Sequence, residues 1–347
     1  MISRNHPIAA RILRRWRALT GGKAVRDADR RTVVACSGGA DSVVLAAVLA
    51  AVEPRAIIAH VVHDIRGDGS AQRDRDAVKR LAEVLGCDFV ERSVEVMGVS
   101  GNLEGNARRA RYGALAEIAG EVGAGFVATG HHGDDQVETL IMRMMRGSGV
   151  RGMGGIGERV EMGEMVVVRP MLEVSRAEVE ALCEEAGLGW VHDATNDDVG
   201  YLRNRIRHEV MGRLIEIEPG LGAKVAGLAR SCRQMSGFVE GVVREGVAGD
   251  ARREGDQWRW DRARLRGEHE AVLGELMFVF VDDVLGGVGA DSMGRRAVEG
   301  CVSAIKSGDT DPCVHRVGPI VVHVQARSVV ISVAGTSDSE EERSCDE

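Results

Sequence analysis

The chain has 347 residues, 44% of them hydrophobic, which is enough for a sizeable core and more than one domain. No run approaches the 18 uncharged apolar residues of a membrane span, so no spanning helix is expected. The net charge of −8 argues against a uniformly basic surface, but residues 336–347 (TSDSEEERSCDE) hold six acids and one arginine, which leaves the rest near neutral and open to local basic patches.

The N-terminal stretch MISRNHPIAARILRRWRALTGG is basic and amphipathic, without a continuous apolar stretch or a cleavage site. It predicts a surface helix within an extension over 1–29. Next comes VVACSGGADSVVLA, residues 33–46. The run Val33-Val34-Ala35 is apolar without alternation, as in a buried parallel strand, and Ala40 to Ala51 predicts a helix. Ser37, Gly38, Gly39, Ala40, Asp41 and Ser42 then occupy a strand-to-helix turn, where unpaired N–H groups and the helix dipole favour an anion and glycine allows close approach. The turn lacks the lysine of the G-x-x-x-x-G-K-[ST] loop. Asp41 is instead a candidate for holding Mg²⁺ against phosphate oxygens. A loop that seats pyrophosphate as leaving group suits attack on the α-phosphate of ATP.

Strands and helices alternate from there. AIIAHVV (56–62), FVERSV (89–94), GFVATG (125–130) and MVVVRPML (165–172) predict strands. Helices are predicted near Gln72–Leu85, Leu103–Ala119 and Asp134–Arg146, the last with Val137, Leu140, Ile141, Met144 and Met145 as its buried face. Ser175 and Glu178 form a capping box for a helix to about Ala186. The pattern is a doubly wound parallel sheet that binds ligands at the C-terminal ends of its strands. After Asn204 the chain reads as helical to about 245, then as a smaller α+β region with strand candidates GPIVVHV and SVVISV. The expected division is a catalytic domain over 30–217, a C-terminal region over 218–335 and a solvated acidic tail over 336–347.

Three further segments carry candidate chemistry. In ATGHHGDDQVET, residues 128–139, His131, His132, Asp134, Asp135 and Glu138 gather at a helix N-terminus. Acids there offset the helix dipole, which accounts for Asp134 and Asp135 but not for two histidines. Asp135 and Glu138 share a face and are further candidates for Mg²⁺. In GNLEGNARRARYGAL, residues 101–115, Arg108 and Arg111 share a helical face; in NDDVGYLRNRIRHEV, 196–210, Arg203 and Arg207 do. Arginine forks suit phosphate, although 41 arginines against four lysines make arginine this chain's default base. Seven scattered cysteines without any C-x-x-C pair signal neither a zinc ribbon nor an iron–sulfur cluster and fit a reducing, cytoplasmic setting.

These segments, with SGGADS, HVVHDIR (60–66), VVRPMLEVSRAEVEAL and LGWVHDATNDDVGYLRNRIRHEV, resemble the tRNA(Ile)-lysidine synthetases of the N-type ATP pyrophosphatase (PP-loop) superfamily, near-continuously from about 30 to 215. Val62 and Asp64 depart from the pattern, standing where a polar Asn or Asp and a Gly are usual. The resemblance implies an adenine nucleotide alpha hydrolase-like fold. It implies a ligase that uses ATP and Mg²⁺ to adenylate C2 of the wobble cytidine of a tRNA(Ile) with a CAU anticodon, after which the ε-amine of free lysine displaces AMP. The loop would seat pyrophosphate; Asp41 with Asp135 or Glu138 would hold Mg²⁺. Arg111 and an arginine of Arg203–Arg207 would offset phosphate charge, and a carboxylate or His131 would take the amine proton. Arg108, Arg146, Arg151, Arg262, Arg264 and Arg266 are the candidate tRNA contacts. A homodimer is compatible with the sequence. The rival readings are a tRNA 2-thiocytidine enzyme, which needs clustered cysteines, an amidotransferase-linked synthetase, which needs a glutaminase, and a non-catalytic nucleotide-binding module.

Overall fold

The computed structural model describes residues 2–52, 56–64, 70–97, 103–191, 202–287 and 289–335; the acidic tail expected at 336–347 lies outside the described residues. The chain forms two compact units, residues 1–142 with 155–229, and residues 143–154 with 230–347. This differs from the expected division at 217/218, because the start of the long helix after Pro219 stays with the first unit and a short excursion at 143–154 joins the second. The N-terminal stretch also belongs to the first unit's core and is not an appended extension.

The first unit runs α1 (Pro7–Leu19), β1 (Thr32–Ala35), α2 (Ala40–Leu49), β2 (Ile57–His63), α3 (Ser70–Leu85), β3 (Phe89–Val94), α4 (Leu103–Glu121), β4 (Phe126–Thr129) and α5 (Gly133–Met145). The turn-long α6 (Val150–Met153) falls in the excursion. Then come β5 (Arg159–Met162), β6 (Met165–Val168), α7 (Arg176–Glu185), α8 (Leu202–Arg205), a π-helical turn (Ile206–Met211), α9 (Gly212–Ile217) and the first part of α10 (Leu221–Val242). The sheet order is β3-β2-β1-β4-β6-β5, parallel except for β5. Successive residues of β1 feed opposite layers, as strand geometry requires. Val34 joins a core with α1, α2 and α7, and Val33 joins a core with α4. Helix α2 is apolar on every side and buried from Ser42 to Leu49, which sets its N-terminal turn rigidly at the sheet edge. Strand order reverses between β1 and β4, so the turns leaving these two neighbours share the crevice where such sheets bind ligands.

Two sequence expectations change here. The strand expected over 165–172 stops at Val168, and β5, unforeseen, pairs with it through a hairpin turn with Gly163 at φ +61°. Met144 and Met145, expected on the buried face of α5, are 62% and 64% exposed: the stripe is covered through Leu140, and the last turn runs out of the first unit.

The second unit contains β7 (Arg252–Glu254), β8 (Gln257–Asp261), α11 (Arg262–Arg266), α12 (Glu270–Leu285), α13 (Arg295–Lys306), β9 (Cys313–Val317), β10 (Ile320–Val324) and β11 (Ser328–Val333). Its five-stranded antiparallel sheet has the order β7-β8-β11-β10-β9. One face packs on α11–α13 around Trp258, whose ring meets Phe280 edge-on at 5.2 Å. The α+β character expected of this region is present, with β10 and β11 inside the two strand candidates.

Candidate active site

The turn after β1 closes on its own last serine. Ser42 Oγ accepts hydrogen bonds from the backbone N–H groups of Ser37 and Gly38, each at 3.2 Å, and donates to the Gly39 carbonyl at 2.9 Å. Ser42 is therefore an internal strut, 6% exposed, rather than an outward hydroxyl. Gly38 has φ +96°, a backbone state that favours glycine, and its carbonyl is held by the Val191 N–H at 2.9 Å. A Cβ on Gly38 would make only ordinary contacts with Val78 and Val191, so conformation, more than space, requires the glycine. With the strut closed, the first turn of α2, from Ala40 and Asp41 onward, presents its unpaired N–H groups.

The turn after β4 lies against this one. A Cβ on Gly130 would stand 3.0 Å from the Asp41 carbonyl carbon and the Ser42 nitrogen, so only glycine lets the two turns touch backbone to backbone. Beyond it, His132 is 2% exposed, and its Nε2 lies 3.6 Å from both Asp41 Oδ2 and Asp135 Oδ2. Asp135 also accepts the His132 backbone N–H at 3.0 Å. Asp134 accepts the Arg176 N–H at 3.2 Å and so caps α7. His131 pairs through Nδ1 with Thr129 Oγ1 at 2.9 Å; burial, with the charges of Arg169, Arg108 and Arg203, outweighs Asp135 and pushes its imidazole down to about 3. Burial raises Asp41, opposed by His132 and reinforced by Asp135. Burial acts upward on Asp135 too, but His132, Arg203 and the backbone donor more than offset it and hold that carboxyl well below the usual range.

The arginines of the 202–211 segment close the far side. Arg203 donates to Glu138 Oε2 and to Asp135 Oδ1, both at 2.7 Å, and Arg207 donates to Glu138 Oε1 at 2.7 Å and Oε2 at 3.1 Å. The Glu138 side chain is 1% exposed, with both oxygens engaged by Arg203 and Arg207. Asp41 keeps a 41% exposed side chain at the mouth. Among the described residues no group of three or more His, Cys, Asp or Glu is arranged to hold a metal. Mg²⁺ often takes one or two carboxylates and completes its shell with water and substrate phosphates, a role the accessible Asp41 fits. A cavity of about 300 Å³ opens beside the ion pairs, lined by Asp134, Glu138, Arg176, Arg207 and Met211 among others.

Arg108 and Arg111 lie on the first half of α4 and stack on Tyr112, with guanidinium carbons 5.1 and 5.9 Å from the ring centre. The departures at Val62 and Asp64 sit at the end of β2, where the Asp64 carboxylate accepts the Val96 N–H at 2.8 Å and ties β2 to the segment after β3.

Several expected tRNA contacts serve the second unit's own structure. Arg262 is 3% exposed and donates to the carbonyls of Ala304, Ile305, Ser307, Asp309 and Gln325. Arg151 pairs with Glu275 and with Asp282 while stacking on Phe278 at 5.0 Å. Arg264 pairs with Asp250 at 2.8 Å and with Glu268. Arg146 and Arg266 are exposed.

Residues 10–214 match the PP-loop domain family. The tRNA(Ile)-lysidine synthase of Novosphingobium aromaticivorans is 36% identical over 236 residues, which cover 67% of this chain and 69% of that protein. This chain belongs to the tRNA(Ile)-lysidine synthase family of PP-loop proteins. Another member of the PP-loop tRNA(Ile)-lysidine synthases, from Salinispora tropica, is 45% identical over 208 residues, 58% of this chain and 61% of that protein. The Geobacter sulfurreducens member is 35% identical over 243 residues, 68% of this chain and 51% of that one. The chain thus spans about half to two thirds of the length of the curated relatives it matches. Among solved structures, the U34-tRNA thiolase NcsA from Methanococcus maripaludis aligns with TM-score 0.52 and 19% identity over 65% of this chain and 80% of that one, a likeness of fold.

Gly130, His132 and Arg169 are the site residues that motif reading passed over or left without a role. A glycine directly after an apolar strand at the switch point was the available signal for the first.

Proposed function

We propose that the protein ligates lysine to C2 of the wobble cytidine of a tRNA(Ile) with a CAU anticodon, through an adenylated cytidine, releasing pyrophosphate and AMP. The carrying observation is the backbone contact at Gly130, which sets the phosphate-type turn and the acidic turn of this family edge to edge at the switch point of the sheet. ATP is the nucleotide that family membership supports, with its β- and γ-phosphates at the first turn of α2. Asp41 would hold Mg²⁺, which would supply charge neutralisation at those phosphates. The cytidine O2 attacks the α-phosphorus and pyrophosphate leaves; the lysine amine then attacks C2, AMP leaves and the amine loses a proton.

The residues divide this work. Arg111 offsets charge on the phosphates, preorganised by its stack on Tyr112. Asp135 and Glu138 hold Arg203 and Arg207 at the pocket. His131, down at about 3, is a poor base, which leaves the amine proton to a carboxylate of the site. The wobble base of an anticodon loop is presented unpaired, so its entry costs little.

The tRNA body is assigned to the second unit, on the sheet face opposite the helices. There Arg252, Arg259, Val330, His323 and Val314 pair in register across all five strands. Arg252 and Arg259 are exposed on this face, as is Arg316 on the next row. Phosphate contacts of this kind position an RNA without reading its sequence.

The deciding test is incubation with labelled lysine, ATP and a panel of tRNA transcripts. Label should enter the tRNA(Ile) transcript with a CAU anticodon and not one altered at the wobble cytidine. Pyrophosphate release without lysine incorporation would move the protein to another tRNA modification.

A further inference from the structure

Arg169 follows directly on β6, at the end of the sheet where the site lies, and the VVRPMLEVSRAEVEAL segment that contains it gives it no role. Its guanidinium is 4% exposed. Nη1 donates to the Gly157 carbonyl at 2.6 Å and Nη2 donates to the Tyr112 hydroxyl at 3.0 Å; Nε has no hydrogen-bond partner among the described residues. A buried cation held by a carbonyl and a phenol has no formal counter-charge among its hydrogen-bond partners, a costly arrangement unless something else requires it. Tyr112, 5% exposed, carries two of the three arginines of α4, Arg108 and Arg111, on its ring. Three guanidinium groups thus converge on one phenol. Met171, two residues after Arg169, bridges to His132, which places the cluster beside the acidic turn.

We propose that Tyr112 and Arg169 are positioning residues for the reaction. Tyr112 is the platform that fixes the planes of Arg108 and Arg111, and Arg169 pins the platform through its hydroxyl. A guanidinium stacked on an aromatic face keeps its N–H edge available to phosphate oxygens while losing rotational freedom. Holding a charge-offsetting group in place before reaction lowers the barrier, and misplacement by about 1 Å can cost on the order of a hundredfold in rate. The ligand class served is the phosphate of the nucleotide at the adenylation step, so the inference rests on the function proposed above.

The test uses the full chain with Tyr112→Leu, Tyr112→Phe, Arg169→Met and Arg111→Ala. Tyr112→Leu should lower kcat for adenylation about tenfold or more with KM for ATP changed less than about twofold. Combined with Arg111→Ala it should be little worse than Arg111→Ala alone, because the two act through one group. Tyr112→Phe keeps the ring and should cost only about threefold. A second readout does not need activity: the side-chain Nε–H resonances of Arg108 and Arg111 should be ring-shifted in the parent and the Phe variant, and lose that shift in the Leu variant. Additive losses in the double variant, or unchanged resonances in the Leu variant, overturn the proposal. Should Tyr112→Leu not fold, parent-like kcat in both Tyr112→Phe and Arg169→Met overturns it. A parent that binds ATP but never adenylates tRNA, with the resonance pattern as expected, removes the proposed function and leaves the positioning intact.

Discussion

Asp41, at the start of α2, and Asp135, at the start of α5, meet across a single imidazole: each places a carboxylate oxygen 3.6 Å from His132 Nε2. The contact joins the turns of two neighbouring strands that are far apart in sequence. Of the two acids, only Asp41 remains substantially accessible. Asp41→Ala should therefore abolish adenylation while leaving the fold intact, measured as pyrophosphate release at saturating Mg²⁺ with circular dichroism as control. Near-normal turnover would remove Asp41 from the metal role.

Gly130→Ala adds one methyl group where the nearest atoms are backbone atoms of Asp41 and Ser42 at 3.0 Å. Backbone cannot rotate away as a side chain can, so the start of α2 must shift. The expected result is at least a tenfold loss of ATP affinity by calorimetry, with a stability cost of about 1–3 kcal/mol. Gly38→Val should also weaken ATP, through the strained φ. An ATP affinity equal to the parent's in Gly130→Ala would show that the two turns do not share a ligand.

Glu138→Gln leaves Arg203 and Arg207 with Asp135 as their remaining shared anion. Removing one partner of a buried ion pair costs on the order of 3 kcal/mol, much of it from the stranded charge. Denaturant unfolding should show that loss, and activity should fall even where folding is complete. If Glu138 were mainly a metal ligand, raising Mg²⁺ would partly restore activity; the ion-pair role expects no such rescue.

Acid should destabilise the protein earlier than its carboxylates alone would require. His131 is half-buried with its pKa pushed down to about 3, whereas in the unfolded chain it takes up a proton near its ordinary value of 6.5. Between those values the unfolded state binds more protons, so stability rises with pH through the window and is lost as pH falls from 6.5 towards 3. At pH 5 the loss from this one group should be about 1–2 kcal/mol. Asp135, lowered in the fold, adds a loss of the same sign only below the ordinary aspartate range. Urea unfolding at pH 7 and 5 of the parent and of His131→Asn separates these; an equal loss in both would exonerate the histidine.

Charge reversal at Arg252 and Arg259 should raise KM for tRNA and flatten its salt dependence, leaving ATP affinity alone. Arg262→Met should instead lower the melting temperature by several degrees, since five backbone carbonyls lose their donor. A parent-like salt slope for the reversed pair would return that sheet face to plain solvent.

The parts of the site that were legible in the sequence are those whose neighbours in space are neighbours in the chain. Ser37 to Ser42 form one turn, and Ser175 with Glu178 closes a capping box whose bonds are present as expected. The role of Glu138 was not legible, because its partners at 203 and 207 arrive from a distant helix and acid spacing alone suits a metal equally well. Arg262 and Arg151 misled for a related reason: an arginine's burial depends on which carbonyls and carboxylates the fold gathers around it, and in a chain this rich in arginine the residue type carries little information. Gly130 was invisible as a site residue because its contribution is an atom it lacks. The sheet was legible from β1 to β4 because buried parallel strands are written as apolar runs, whereas β5 is a half-exposed edge strand, RVEM, with no such signature.

The second unit's main core is drawn entirely from residues Val243 to Val333, while the cores around the PP-loop sheet use nothing beyond Val225. During synthesis from the N-terminus, the core around the PP-loop sheet can therefore be completed before the first residue of the other core has been made, while the 143–154 excursion waits for Glu275 and Asp282 to pair with Arg151. The same layout lets the C-terminal portion change in length without reopening the core around the PP-loop sheet.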